Sequence, residues 1–190
     1  MEVRRLANVE GALLFLPTPH VDQRGFFTRT FDAEVAGNAG IDPGAFVQDS
    51  ISRSAQGVVR GLHTRRGEGE AKLVRCSYGE VFDVIVDLRR ASPTFKRWES
   101  VLLRGDEQTS LYVPAGFAHG FQALTDPADV AYRIDRSYDP TEDVAIAFDD
   151  PSLAIPWPLD AVLMSDRDRQ ALTLDEAVER MAGTSAGPVG

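Results

Sequence analysis

Short runs of alternating apolar and polar residues recur along the chain and predict strands. Phe46 to Ser54 places Val47, Asp49 and Ile51 on one side and Gln48, Ser50 and Ser52 on the other. Asp129 to Tyr138 alternates again, with Val130, Tyr132, Ile134, Arg136 and Tyr138 sharing a face. Val81 to Leu88 differs. Val81, Asp83, Ile85 and Asp87 form one row and Phe82, Val84, Val86 and Leu88 the other, so both faces are largely apolar. Such a strand belongs in the centre of a sheet covered on both sides. Ala12 to Pro17, Phe26 to Phe31, Val58 to His63, Lys72 to Tyr78, Trp98 to Leu103 and Ser110 to Val113 add further strands. Another is entered through Pro114-Ala-Gly-Phe-Ala-His119-Gly-Phe.

Turn-forming residues separate these runs. Asp22-Gln-Arg-Gly25 reads as a tight turn, and Asn38 to Gly44, Thr64 to Glu70 and Ala91 to Thr94 read as loops. Gly79-Glu80 between two strand runs reads as a hairpin. Many short strands joined this way argue for an all-β antiparallel sandwich or barrel. Helix is expected mainly near the C-terminus, where Thr173-Leu-Asp-Glu176 is a capping box before Ala177 to Met181. The expected organisation is one domain over residues 1–182 with a flexible tail at 183–190. One local conflict stands out. Strict alternation from Val58 puts Arg60 and His63 on opposite faces, so either the strand is bulged there or Arg60 points away from His63.

Composition narrows the class. The chain has 190 residues, 43% hydrophobic and 26% charged, as expected of a soluble globular protein. No apolar run approaches the roughly 20 residues that span a bilayer. Met1-Glu-Val-Arg-Arg5 lacks the apolar core of a secretory signal. Cys76 is the single cysteine, which excludes an intrachain disulfide and a cysteine-rich zinc site. A cytoplasmic setting with no membrane association is expected. The net charge of −9 argues against a nucleic-acid partner. A local arginine cluster can still hold a diphosphate, and Arg24, Arg60, Arg65 and Arg66 are candidates.

Candidate chemistry concentrates between Gly57 and Leu88, where His63, Lys72 and Asp83 lie among apolar neighbours. A histidine, a lysine and a carboxylate there form a proton-transfer site in outline, because buried lysines are rare unless paired. Tyr132 and Tyr138 on one strand face could supply an acid and an aromatic platform. His119 sits in Pro-x-Gly-x-x-His, a turn common in cupin barrels. Metal-binding cupins add a His-x-His, and His63-Thr64-Arg65 lacks it.

These segments resemble the dTDP-4-dehydrorhamnose 3,5-epimerases and their relatives in deoxysugar pathways. The matching stretches are Asp22-Gln-Arg-Gly-Phe-Phe, Phe46-Val-Gln-Asp-Ser-Ile-Ser, Val59-Arg-Gly-Leu-His63, Lys72-Leu-Val-Arg-Cys, Gly79-Glu-Val-Phe-Asp-Val, Asp87-Leu-Arg, Ser92-Pro-Thr-Phe, the Pro114 to Phe121 turn, Tyr138-Asp-Pro and Ile155-Pro-Trp-Pro. They recur in order from about residue 12 to 175. The resemblance implies a cupin-like jelly roll with short C-terminal helices, assembled as a homodimer that exchanges N-terminal strands.

It also implies roles. His63 corresponds to the general base, Asp168 to the carboxylate that orients it, Lys72 to the group that steadies the enolate oxygen, and Tyr132 to the proton donor across the ring. Arg24, Gln48, Arg60, His119, Asp143 and Arg167 match positions that contact the nucleotide-sugar, and Tyr138 matches the aromatic that stacks on the base. Phe27, Arg29 and Ser50 fall in the same recognition region. Arg29 stands where the family usually has Glu, Ser50 where it has Asn, and Thr64-Arg65 where it has an aromatic-Gln pair.

The implied reaction is epimerisation at C3, C5 or both of a nucleotide-linked 4-keto-6-deoxyhexose. Protons beside the ketone are removed and returned on the opposite face, which requires no metal and no redox cofactor. The alternatives are a 3,4-ketoisomerase of the same substrates, a non-catalytic sugar-binding cupin and a metal-dependent cupin oxygenase.

Overall fold

A computed structural model describes residues 1–161 and 163–182; the tail expected at 183–190 lies outside the described residues. In chain order the strands begin with β1 (Glu2–Arg5), β2 (Leu13–Leu16), β3 (His20–Asp22) and β4 (Gly25–Phe27). After helix α1 (Ala33–Asn38) come β5 (Gln48–Ser54), β6 (Val59–Arg65), β7 (Lys72–Tyr78), β8 (Glu80–Asp87) and β9 (Trp98–Arg104). Then follow β10 (Ser110–Val113), β11 (Phe117–Ala123), β12 (Ala128–Ile134) and β13 (Asp143–Ala145), before α2 (Asp166–Arg169) and α3 (Leu174–Ala182). Six strands pair in the order β1-β2-β10-β7-β12-β5, and five in the order β13-β6-β11-β8-β9. The result is an all-β, cupin-like fold. Among the described residues no helix is long and apolar enough to cross a membrane.

The two sheets share an apolar interior. Val74 and Cys76 of β7, Val81 and Ile85 of β8, Leu111 and Val113 of β10, Phe117 and Phe121 of β11 and Val130 of β12 meet there. The other row of β8, Val84 and Val86, faces outward and is covered by Leu153, Leu174, Ala177 and Val178. β8 is therefore apolar on both faces because α3 and the segment before it close the outer one. Each fully buried Val or Leu contributes about 1.5–3 kcal/mol. The capping box forms as expected: Thr173 N–H donates to Glu176 Oε2 at 2.9 Å and Glu176 N–H donates to Thr173 Oγ1 at 3.4 Å.

Several expectations are corrected. The runs on either side of Gly79 are not a hairpin. β7 pairs with β10 and β12, β8 with β11 and β9, so the chain crosses between sheets there. Gly79 has φ +75, and a Cβ would lie 2.6 Å from the Pro127 carbonyl, so glycine serves a crowded corner. The strand expected from Phe26 to Phe31 ends at Phe27 and gives way to α1. That helix is capped by Asp32, which accepts from Glu34 N–H and Val35 N–H at 3.1 and 3.3 Å. β6 runs on to Arg65, inside the expected loop, and β12 stops at Ile134, which leaves Tyr138 off the strand that carries Tyr132.

The Arg60–His63 conflict resolves as a bulge. His119 pairs with His63 and Phe121 with Arg60, so Gly61 and Leu62 together oppose Gly120. Both Arg60 and His63 thus share the inner face with His119 and Phe121. Gly61 (φ +110) and Gly120 permit the close approach. A Cβ on Gly61 would lie 2.7 Å from Gly120 Cα, and one on Gly120 would lie 2.7 Å from the Arg60 carbonyl.

Candidate active site

Between the sheets opens a cavity of about 630 Å³ lined by residues that include Arg60, His63, Lys72, His119, Tyr132, Arg167 and Asp168. β6 supplies Arg60 and His63, β7 supplies Lys72, β11 His119 and β12 Tyr132. α2 brings Arg167 and Asp168, and its N-cap Ser165 accepts from Asp168 N–H at 3.1 Å.

His63 Nε2 lies 2.6 Å from Asp168 Oδ1. The carboxylate is 4% exposed and the imidazole 33%. Burial raises the Asp168 carboxyl, but the His63 ring, Ser165 and the Gly61 backbone outweigh it and hold it below the usual carboxylate range. An ionised partner on Nε2 leaves Nδ1 as the nitrogen that can act on a ligand. Burial pushes the Tyr132 phenol well above its ordinary value, with Ser52 and Arg60 acting the other way, so it carries its proton at neutral pH. Its ring meets His119 edge-on, the centroids 6.1 Å apart.

Asp83 does not join His63 and Lys72 in one triad. It accepts from His119 Nε2, which sits 2.9 and 3.0 Å from its two oxygens. Burial raises its carboxyl, opposed by His119 and Lys72. Lys72 Nζ instead pairs with Glu70 Oε1 at 2.8 Å. Arg60 donates to Ser54 Oγ at 2.9 Å and to the Arg53 carbonyl at 3.1 Å.

An adjoining cavity of about 460 Å³ holds Tyr138 and Asp143 and shares Arg167 with the first. Arg167 donates to Asp143 Oδ2 at 2.8 Å, and the exposed Tyr138 ring lies 5.3 Å from the Arg65 guanidinium. Arg65 is not available for a diphosphate, because it is buried against Glu70 and donates to the Ser137 carbonyl. Arg66 donates to the Thr141 carbonyl. Gln48 and Ser50 bond each other at 3.1 Å on the inner face of β5, opposite Ile134 and Tyr132, but outside the cavity lining.

Arg24, Phe27 and Arg29 lie apart from both cavities. Arg24 pairs with Asp22 and Arg29 with Asp32. Among the described residues no group of three His, Cys, Asp or Glu side chains is arranged to hold a metal ion.

The family model for dTDP-4-dehydrorhamnose 3,5-epimerase matches residues 7–176. The chain belongs to the dTDP-4-dehydrorhamnose 3,5-epimerase family. The enzyme of that name from Pseudomonas aeruginosa is 43% identical over 178 residues, 93% of this chain and 98% of the relative. Among solved structures, the Legionella pneumophila epimerase in complex with dTDP-4-keto-L-rhamnose is 40% identical with a TM-score of 0.86, covering 92% of this chain and 94% of that one. The Streptomyces bikiniensis 3'-monoepimerase ChmJ, in complex with dTDP-quinovose, is 37% identical with a TM-score of 0.85, covering 93% of this chain and 89% of that one.

The structure adds Glu70 and Ser165 to the residues expected around the site: Glu70 pairs with Lys72, and Ser165 accepts from Asp168 N–H. Glu70 had one usable signal, a carboxylate two residues before Lys72 on the same face if the strand extends back to it. Ser165, three residues before Asp168, carried the spacing of an N-cap.

Proposed function

We propose that this chain is an epimerase of a dTDP-linked 4-keto-6-deoxyhexose, inverting C3, C5 or both. The observation that carries the reading is the His63–Asp168 pair at 2.6 Å on the wall of a cavity that also holds Lys72 and Tyr132. Family membership and the ligands of the related structures supply the substrate class.

In this reading His63 removes a proton from a carbon beside the ketone. Negative charge moves to the carbonyl oxygen, where the Lys72 ammonium stabilises it; such stabilisation is usually the largest catalytic contribution. Asp168 fixes the imidazole tautomer and stabilises the imidazolium. Tyr132 returns a proton to the opposite ring face and is recharged from solvent. Arg60, His119 and Arg167 hold the nucleotide-sugar, and Tyr138 with Asp143 receives the base in the adjoining cavity. The sequence of steps uses protein side chains alone.

The β3–β4 hairpin fits assembly as a homodimer. Among the described residues it pairs with no other strand, and Val21, Phe26 and Phe27 are exposed on it. We assign it to the second copy, where it would carry Arg24, Phe27 and Arg29 to the partner's cavity, close to Gln48 and Ser50. The setting is cytoplasmic, with neither nucleic acid nor membrane as partner.

The test is incubation with dTDP-4-keto-6-deoxyglucose and assignment of product stereochemistry at C3 and C5 by NMR. Inversion at either carbon supports the reading. Recovery of unchanged substrate, or a keto group moved to C3, rejects it. Sedimentation of the full chain checks the dimer, and a monomer at micromolar concentration would contradict the exchange.

A further inference from the structure

Two cations and one carboxylate are buried together beneath the cavity. Arg65 at the end of β6, Glu70 in the following loop and Lys72 at the start of β7 have side chains 5%, 9% and 9% exposed. Glu70 faces a cation with each oxygen: Oε1 meets Lys72 Nζ at 2.8 Å, and Oε2 lies 2.7 Å from Arg65 Nε as an ion pair without hydrogen-bond alignment. Asp143 stands 3.6 Å from the same Arg65 nitrogen and also accepts from Arg167. Charges thus alternate from Lys72 through Glu70, Arg65 and Asp143 to Arg167 at the junction of the two cavities.

We propose that Arg65 and Glu70 are positioning residues that set the location and effective charge of Lys72. The proposal rests on the role given to Lys72 above. A buried ammonium needs a counter-ion. A carboxylate devoted wholly to it would cancel much of the positive potential needed at a developing enolate oxygen. Sharing Glu70 with Arg65 removes this conflict. The ammonium is anchored at a fixed point, while the three side chains together keep one net positive charge. The other charged and titratable groups around Lys72 are Asp83 on β8, Arg60 and His63 on β6, His119 on β11 and Tyr132 on β12. Asp83 is committed to His119, so Glu70 is the carboxylate paired directly with Lys72.

The test compares R65Q, R65K, E70Q, the double variant R65Q/E70Q and K72M. kcat, KM and the pH dependence of kcat are measured for each full-length protein. R65Q leaves Glu70 to neutralise Lys72, so kcat falls about tenfold and activity extends to higher pH. E70Q leaves two cations facing each other, so kcat also falls about tenfold and activity is lost at lower pH. KM changes less than about threefold in both. R65K retains the charge and most of the kcat. R65Q/E70Q removes the repulsion that E70Q alone leaves, so its kcat exceeds that of E70Q and its pH profile lies between those of the two single variants; if one single variant fails to fold, the shift between the double variant and the other decides the matter.

A packing role for the pair would not move the pH profile in opposite directions. Unchanged profiles in both single variants, or a double variant no better than the worse single one, would overturn the proposal. If K72M keeps wild-type turnover, the role of Lys72 itself fails and the proposal falls with it. If K72M is inactive while R65Q and E70Q behave as wild type, only the positioning role fails.

Discussion

Replacing Asp168 by Asn removes the charge beside His63 and keeps the side-chain volume. The carboxylate is 4% exposed and 2.6 Å from Nε2, so its attraction for an imidazolium formed during the reaction is short-range and little hydrated. Two unit charges about 4 Å apart interact by ~4 kcal/mol at an effective dielectric constant of about 20. His63 is 33% exposed, and solvent screening reduces this to ~2 kcal/mol. At about 1.4 kcal/mol per tenfold in rate, kcat should fall about 30-fold. KM should move less than about threefold, since Arg60, His119 and Arg167 stay in place. The assay is initial rate at saturating dTDP-4-keto-6-deoxyglucose, with circular dichroism as a check that the variant is folded. A folded D168N variant within about threefold of the wild-type kcat would refute the reasoning, because His63 would then gain no cationic character in the slow step.

Other perturbations probe different parts of the account. Tyr132→Phe should still allow solvent deuterium into the substrate while inversion is strongly impaired; unimpaired inversion would remove the phenol from the reaction. Gly120→Ala introduces a Cβ 2.7 Å from the Arg60 carbonyl and 3.1 Å from Leu62 Cδ2. Overpacking of that kind costs about 1–3 kcal/mol, so the thermal midpoint should fall and kcat with it, and a variant unchanged in both would show that the bulge does not depend on glycine. Acid should destabilise the fold. The carboxyls of Asp87, Asp150 and Asp168 are raised by burial, but hydrogen bonds and charged partners bring all three below their ordinary value. The folded chain therefore binds these protons less readily than the unfolded chain. That stability is complete above the ordinary carboxylate value of about 3.9 and is lost as pH falls below it. Asp83 is shifted upward and works in the opposite sense, losing its contribution as pH rises. Urea midpoints at pH 6 and pH 3 test the balance, and a higher midpoint at pH 3 would contradict it.

Local chemistry was legible where one residue answers one need. Thr173 and Glu176 announce a helix start because each side chain accepts from the other's backbone N–H. Strict alternation across Arg60 and His63 leaves two options, a bulge or an Arg60 turned away, and the pairing of β6 with β11 decides for the bulge. The two apolar rows of β8 announced that both its faces are covered, although it lies beside the edge strand β9 rather than at the centre of its sheet. Partners distant in sequence were less visible. Nothing in the spacing says that Asp83 serves His119 rather than His63, since a register between β8 and β11 decides it. Gly79 looks the same in a hairpin as at a corner between sheets, and only pairing separates the two. α1 is too short to show a helical period. By charge alone Arg65 reads as an anion ligand, and only packing places the Glu70 carboxylate against it. The His63–Asp168 pairing came from family resemblance, because 105 residues separate its members.

Proton exchange on the substrate carbons is the most direct measurement of whether His63 is the base. With wild-type protein in D2O, deuterium should enter C3 or C5 of dTDP-4-keto-6-deoxyglucose, and His63→Ala should reduce that exchange to the uncatalysed rate. Exchange that persists undiminished in a folded His63→Ala variant would contradict the account.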